Sequence, residues 1–558
     1  MRAWRWPARL FVPAALVAGL VADASIDRTV EAVDTAAVAT EVAMSSADSL
    51  TSTWMCPTVT MRRAGGAGID VASLINVTNT TSTPTRASVQ LISPTDAPLT
   101  IEVSLPPWST RTVDAHASMP SELVAALVEA PTGGISVTRT FEGEHGSDVA
   151  KCSTVAAAQW FIPAGDTSRD AVEAIVLFNP FSSVAIVDMS FATEAESGAF
   201  NVVALEGVVI GAKSVHLVDL GAHVRVRESV ATAIDVRAGR IVVDHLQSFD
   251  GTAGRQGLSA SLATAALSTR WVSAAGYVDA DVEMSVHVFN PGDEVAEVDL
   301  VAPNGIASSG DPVAISIGPR DVAVVPISQF LDDRPLVPTL EVVGGIEFGI
   351  IVESANGVPV AVATEMHVRP VGSAALATAT TSVPTTTAPP TTVPVTTTAP
   401  PPTAAPATTV AATEGDAAAA PSTTLAPTTL APAPAAPPTT TSVPLPESIR
   451  GERAASGAAM RPADPTSANR WFLVSTTTAD RFQQITVLNH GLELVNVVIT
   501  DTQGVVVDEF TVEPNRLVAR AMPSGSAWFV SGDGPLAVSG DVHVVGALGV
   551  GLAPAILG

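Results

Sequence analysis

The sequence predicts an all-β protein of tandem antiparallel β-sandwich-like modules, three contiguous and one beyond a disordered linker. Three observations predict it. Apolar residues alternate with others over strand-length runs such as Val184-Ala-Ile-Val-Asp-Met-Ser-Phe191 and Leu494-Val-Asn-Val-Val-Ile499, the period of a half-buried strand. Four tryptophans are each followed, at a similar distance, by an asparagine that closes an apolar run. Helical patterning is weak, and the one short helix it predicts covers residues 121–129.

The chain opens with Arg2, Arg5 and Arg9, an apolar run over residues 10–22, and Ala22-Asp23-Ala24. That order predicts a signal peptide over residues 1–24 with an A-x-A cleavage site. The alternative is an uncleaved N-terminal anchor, although the run contains Pro13 and Gly19 and falls short of the ~20 residues that a span needs. Either reading places the rest of the chain outside the cytoplasm, extracellular or at the cell surface. Residues 25–50 read as a spacer.

Module 1 is predicted over residues 51–158, module 2 over 159–268 and module 3 over 269–371. Trp160 precedes Asn179 by 19 residues and Trp271 precedes Asn290 by 19; Trp54 leads to Asn79 in 25 and Trp471 to Asn489 in 18. The strand before each Asn and the alternating run after it read as an antiparallel hairpin. Later in each copy an acid- or amide-Gly pair recurs as a turn: Glu142-Gly143, Asp250-Gly251, Asn356-Gly357 and Asp533-Gly534. Module 4, over residues 467–558, has an Asn-to-turn spacing of 44 against 63, 71 and 66. A missing strand pair or long loop is expected there. The indoles of Trp54, Trp160, Trp271 and Trp471 are expected in the cores rather than as sugar-stacking platforms.

Residues 372–466 are read as a Thr/Pro/Ala-rich disordered linker, since prolines lack the N–H that a ladder needs and the composition supplies no core. It is expected to act as a semi-rigid stalk for module 4.

Cys56 and Cys152 are the only cysteines. In an exported chain such a pair is expected as a disulfide, the alternative being two buried thiols. Closing a loop near 100 residues stabilises a fold by about 4–5 kcal/mol on the chain-entropy model.

A net charge of −27 excludes partners bound through excess Lys and Arg, nucleic acid and anionic lipid among them. No catalytic, metal or cofactor site is predicted. Gly257-Leu-Ser259-Ala-Ser261 lacks the second Gly of a nucleophile elbow. His287 is expected to face solvent from an alternate strand position, and His367 and His543, at corresponding places in two copies, are expected to be structural. Asp244-His245 is weighed the same way, and Asp279 with Asp281 lacks an α/β nucleotide-binding context. The formal glycosylation sequons at Asn76 and Asn79 are expected in a loop.

The run Trp160-Phe-Ile-Pro-Ala-Gly165, the pairs Asn179-Pro180 and Asn290-Pro291, Gly239-Arg-Ile-Val-Val-Asp-His, Gly257-Leu-Ser-Ala-Ser, and Cys56-Pro57 with Cys152 resemble a domain-of-unknown-function family. Its members are secreted or envelope proteins of high-GC Gram-positive bacteria, and the resemblance spans about residues 50–370. It implies export, an envelope location and an association with surface-polysaccharide synthesis. The expected role is a non-enzymatic envelope protein of structural, adhesive or scaffolding type, with cell-wall glycan or another envelope protein as partner. The alternative is a glycan-binding or glycan-processing accessory protein of surface polysaccharide assembly. Contact with membrane is expected only through an unprocessed N-terminal segment.

Overall fold

A computed structural model of the chain describes residues 52–61, 69–278, 282–302, 312–327, 346–368, 457–462, 468–474, 481–501, 503–522, 527–544, 550–554 and 556–557. The predicted signal peptide, the spacer at 25–50 and the linker through residue 456 lie outside them, as do Asp279 and Asp281. Every described strand belongs to one compact unit.

The described residues are almost entirely strands. Module 1 holds β1 (Ser52–Met61), β2 (Val71–Asn79), β3 (Thr85–Ile92), β4 (Leu99–Leu105), β5 (Thr110–Asp114), β6 (Leu123–Ala130), β7 (Ile135–Gly143) and β8 (Gly146–Lys151). Module 2 holds β9 (Gln159–Ile162), β10 (Ala171–Asn179), β11 (Ala185–Thr193), β12 (Glu196–Asn201), β13 (Val208–Ile210), β14 (Ser214–Asp219), β15 (Val230–Ala238), β16 (Val242–Asp250) and β17 (Gln256–Leu262). Module 3 holds β18 (Arg270–Val278), β19 (Val282–Asn290), β20 (Ala296–Val301), β21 (Val313–Ile317), β22 (Asp321–Pro326), β23 (Ile346–Ser354), β24 (Ala361–Val368) and β25 (Gly457–Pro462). Module 4 holds β26 (Ala468–Val474), β27 (Arg481–Asn489), β28 (Val495–Asp501), β29 (Val506–Val512), β30 (Arg516–Met522), β31 (Ala527–Val544), β32 (Val550–Pro554) and β33 (Ile556–Leu557).

Each module pairs two antiparallel sheets. The asparagine sheet is β14-β10-β16-β17 in module 2 and β22-β19-β24-β25 in module 3. The tryptophan sheet is β12-β11-β15-β9 in module 2 and β21-β20-β23-β18 in module 3. Module 1 has the same pairings, with its two sheets joined where Thr60 and Met61 meet Ala72 and Val71. In module 4 the 18-residue β31 serves both sheets, pairing β28 and β26 through its first half and β27 through its second. Alternate residues of the two sheets face each other, so that each module's core gathers around an anchor indole, as with Trp271, Val286, Val288, Val298, Leu300 and Val352 in module 3, and module 4 adds Trp528 to Trp471.

Several expectations change. The strands flanking each Asn are not a hairpin: β10 and β11 belong to different sheets, as do β19 and β20, while β2 and β3, and β27 and β28, share a continuous sheet without pairing with each other. Residues 121–129 fall mostly in β6, a strand flanked by β1 and β3. Leu and Ala predominate there because the strand is buried on both faces, which erases the period-2 signal. A four-residue helix forms nearby instead, at Ala115–Ser118, with Asp114 Oδ1 accepting from the Ala117 amide at 2.8 Å.

The four acid- or amide-Gly pairs are not equivalent turns. Two close hairpins within the asparagine sheets, at β7–β8 and β16–β17, and two stand where the chain crosses between sheets, at β23–β24 and inside β31. Among the described residues module 4 lacks no strand pair; its crossing is a continuous strand, and its shorter spacing than module 3 comes from the segment before that crossing, 4 residues between β30 and β31 against 19 between β22 and β23. Gly532 and Gly534 permit the continuous strand, since a Cβ at either would press on Val495. Finally, residues 457–462, read as linker, form the edge strand of module 3, and Val368 pairs with Gly457. Val368 and Gly457, which flank the Thr/Pro-rich segment, are thus paired positions of one sheet, so the linker ends before residue 457 and not at 466.

Candidate functional site: anchors and ionic seams

The four asparagines make one recurring set of bonds. Asn179 Nδ2 donates to the carbonyls of Ser183, Ile210 and Gly211 at 2.7, 3.3 and 2.9 Å, while its Oδ1 accepts from the Phe181 amide. Asn290 repeats this with Glu294, Ile317, Gly318 and the Gly292 amide, and Asn79 with Thr83, Leu105, Pro106 and the Thr81 amide. Asn489 does so with Glu493, Val512 and the Gly491 amide. The carbonyls belong to two separate sheet-to-sheet crossings, so one buried amide fastens both, and an unpaired carbonyl there would carry the full cost of burial. Asn79 is fully buried and Asn76 nearly so, both within β2, and Asn76 Nδ2 donates to Thr140 Oγ1. The Asn76 sequon therefore lies within β2, while that of Asn79 runs from the end of the strand into the loop at Thr80 and Thr81.

The four anchor tryptophans, Trp54, Trp160, Trp271 and Trp471, are buried, at 0% or 1% exposure, each in the core of its own module. Trp160 Nε1 donates to the Ile241 carbonyl at 3.0 Å and Trp271 Nε1 to the Val360 carbonyl at 2.8 Å, fastening the third crossing of each module. Cys56 and Cys152 form a disulfide between β1 and the segment after β8. Sequence reading missed a further recurring feature. Trp108, Lys213, Arg320 and Asn515 all take positive φ, between 46° and 54°, in the same crossing of the four modules. Four different residue types occupy that left-handed position, which hides it from any sequence pattern.

Ionisable groups gather where modules meet. Arg139 of module 1 forms a bidentate pair with Asp244 of module 2; both are buried, with Arg139 Nη2 at 3.1 Å from Asp244 Oδ1. Arg139 also donates to the Thr58 and Lys151 carbonyls, and the Thr58 amide donates to Asp244 Oδ2 at 3.0 Å. Asp148 of β8 accepts from the Ala260 amide of β17 at 2.7 Å.

Within module 2, Arg255 lies between Asp166 and Asp170 at 2.6 and 2.9 Å. Burial pushes the Asp166 carboxyl up against the opposing pull of Ser168 and Arg255. For Asp170 burial also opposes ionisation, but Arg255 outweighs it and holds the carboxyl low. Deeper inside, Glu173 is fully buried with its Oε1 at 3.2 Å from His245 Nε2. That is an ion-pair distance without hydrogen-bond alignment, and neither Glu173 oxygen has a hydrogen-bond partner. Burial pushes this carboxyl up. A side chain at Gly165 would collide with it.

Module 3 places Glu365 between two histidines. His287 Nε2 lies 2.8 Å from Glu365 Oε2, and His367 Nε2 is bonded to Oε1. Burial alone would raise the Glu365 carboxyl, but the charge of His367 and hydrogen bonds from both rings hold it well below the usual carboxylate range. His287 is 1% exposed and so does not face solvent as expected. Phe289, two residues on, packs against Phe161 and Ala231 of module 2, which covers this face of the sheet. Ser285 Oγ stands 3.1 Å from His287 Nε2, the same nitrogen that meets Glu365, while His287 Nδ1 has no partner. A Ser-His-acid relay needs the acid on one ring nitrogen and the hydroxyl on the other, so this constellation is not one. His367 packs edge-on against Phe249 of module 2, 4.8 Å between centroids. His543 occupies the equivalent register in β31, opposite Phe482 as His367 is opposite Glu283.

Modules 3 and 4 meet through Val272 and Ala274 against Leu488 and Ala537. Arg270 bonds Glu353 at 2.6 Å and donates to His490 Nδ1 at 2.9 Å. Burial and the Arg270 charge push the His490 ring down to about 4, leaving it the neutral acceptor that this bond requires. Module 4 also reaches module 1, where Trp108 meets Phe529 edge to face at 6.0 Å. Among the described residues no cluster of His, Cys, Asp and Glu is arranged to hold a metal, and no helix is long and apolar enough to cross a membrane.

Anchors and seams together define a tandem repeat of antiparallel β-sandwiches whose polar core groups fasten strand crossings and module interfaces. No family model matches the chain, and no curated protein matches it. Among solved structures, the crystal structure of a tetra-tandem repeat in the extending region of a large adhesion protein is 12% identical over 91% of this chain and 99% of that one, with a TM-score of 0.09. A score that low carries no argument about fold or function.

Proposed function

We propose that the chain is an exported, non-enzymatic protein of the cell envelope with a structural, adhesive or scaffolding role. One observation carries this reading: the side chains best suited to chemistry face one another across or beside module interfaces. Arg139 pairs with Asp244 across the interface of modules 1 and 2, and Glu365 pairs within module 3 with His287 and with His367, whose ring packs on Phe249 of module 2; all are buried. The disulfide and the Arg-rich, apolar N-terminal segment support passage to an oxidising compartment.

Expression of the full chain in a high-GC Gram-positive host, followed by surface biotinylation of intact cells, tests location. Labelled protein with no free thiol is the expected result, and cytoplasmic protein with two free thiols would overturn it. Purified chain incubated with wall polysaccharide tests the role: retention without change in polymer length fits an adhesive scaffold. Cleavage or extension of the polymer, lost in a folded Glu365→Gln variant, would establish a glycan-processing enzyme instead.

A further inference from the structure

The edge strand of the asparagine sheet reaches its place by two different routes. In modules 1 and 2 it follows its neighbour through a tight hairpin, β7 and β8 pairing as far as Gly143 with Gly146, and β16 and β17 as far as Asp250 with Gln256. In module 3 the same edge, alongside β24, is filled by β25, in a register running from Ala363 with Pro462 to Val368 with Gly457. Roughly 90 residues separate the paired Val368 and Gly457. A hairpin commits its second strand to its own chain, whereas a connection of this length does not.

Only a few residues separate β25 from module 4, so the two travel together. Residues 457–558 therefore behave as one piece that docks on the remainder through strand pairing with β24, the Val272, Ala274, Leu488 and Ala537 contact, the Arg270–His490 bond and the Trp108–Phe529 stack. If that piece comes from another copy, every one of these contacts is retained and only the path of the connection differs. The balance between the two arrangements is then set by concentration alone. A short flexible linker holds its partner at an effective concentration in the millimolar range, falling roughly as the −3/2 power of linker length. A linker this long competes poorly with other copies at high local concentration.

We infer that the acceptor edge of β24 takes residues 457–558 of a second copy of this chain, linking copies by exchange of their C-terminal quarter. The inference stands independently of where the protein resides. It is tested with full chains: one carrying Met366→Cys, a second carrying Ala459→Cys, these two positions being Cα partners across the pairing. The two are denatured, mixed and refolded in a redox buffer, with crosslinks identified by peptide mapping and mass by light scattering. Refolding at on the order of 1 mM should give dimers joined through residues 366 and 459, and refolding at on the order of 1 µM should give monomers.

Deleting residues 378–446 shortens the connection to roughly 20 residues and should raise the concentration needed for dimers about tenfold. The single-chain double variant should close its new disulfide intramolecularly at low concentration. If it does not, the pairing and the inference both fall. Monomer at every concentration overturns the inference, as do dimers that lack the 366–459 link or ignore the deletion.

Discussion

Glu173 in module 2 and Glu365 in module 3 are both buried carboxylates on the asparagine sheets, yet their surroundings push them in opposite directions. Two imidazole rings hold Glu365 in its ionised form, whereas the single His245 is misaligned with Glu173, whose carboxyl burial drives up. Asp244 goes further than either, with a guanidinium from the neighbouring module and a backbone amide both bonded to it. Burial alone thus says nothing about whether a carboxylate stabilises this protein. Aligned donors decide, because a buried charge without them costs more than it returns.

The comparison is broken most directly at Asp244. Arg139→Met should lower stability by about 3–5 kcal/mol in urea unfolding, since it leaves a buried charge unpaired. Arg139→Met with Asp244→Leu should recover most of that loss, and failure to recover would mean that the pair itself, rather than the orphaned charge, matters. Replacing Cys56 and Cys152 together by Ala should cost about 2–5 kcal/mol, read from the shift in denaturation midpoint. It separates covalent fastening within module 1 from ionic fastening between modules.

Asn179→Ala should cost about 1–3 kcal/mol by leaving buried carbonyls of two crossings unpaired. The same substitution at Asn290 should match it if the copies are equivalent.

The two glutamates sharpen the contrast through pH. The stabilising contribution of Glu365 is fully present above the ordinary value of 4.5 and is lost as pH falls through its lowered native value, so Glu365→Gln should flatten the acid limb of the stability profile. Glu173 has the opposite sign. Its raised native value means that a penalty appears as pH rises above 4.5, so Glu173→Gln should unfold at higher denaturant than the parent at pH 7 and equally below 4.5. A gain at pH 7 that persists at pH 4 would point to packing instead. The smallest effect is expected at Arg320→Gly, a gain below about 1 kcal/mol from relief of a left-handed backbone, set against the greater freedom of glycine when unfolded.

Much of the fold was legible because strand periodicity and the Trp-to-Asn interval are local. Ala185–Thr193, Ala296–Val301 and Val495–Asp501 stand where alternation placed them. What misled was the meaning of the asparagine. An Asn between two alternating runs reads as a hairpin turn, yet here it bonds carbonyls roughly 30 residues ahead as well as four, which no local pattern contains. His287 misled for a related reason. Alternation correctly set it on the face opposite Val286 and Val288, but not that Phe161 of another module covers that side. The Glu365 cluster could have been found only by pairing β19 with β24, whose register sets Ser285 opposite Glu365 and so brings residues 78 apart into contact.

By itself, then, the sequence determined strand content, the number of copies, the indoles as core centres and one pairing of cysteines. Each follows from short-range periodicity or from the identity of a rare residue. Only the tertiary structure decided which strands share a sheet, which faces are covered twice, which carboxylates find donors, and that module 3 takes its last strand from beyond the Thr/Pro-rich segment. The reason is physical: a period of two assigns residues to faces but carries no information about what packs on them. An edge strand is specified by a partner's unpaired backbone, and sequence distance leaves no mark there.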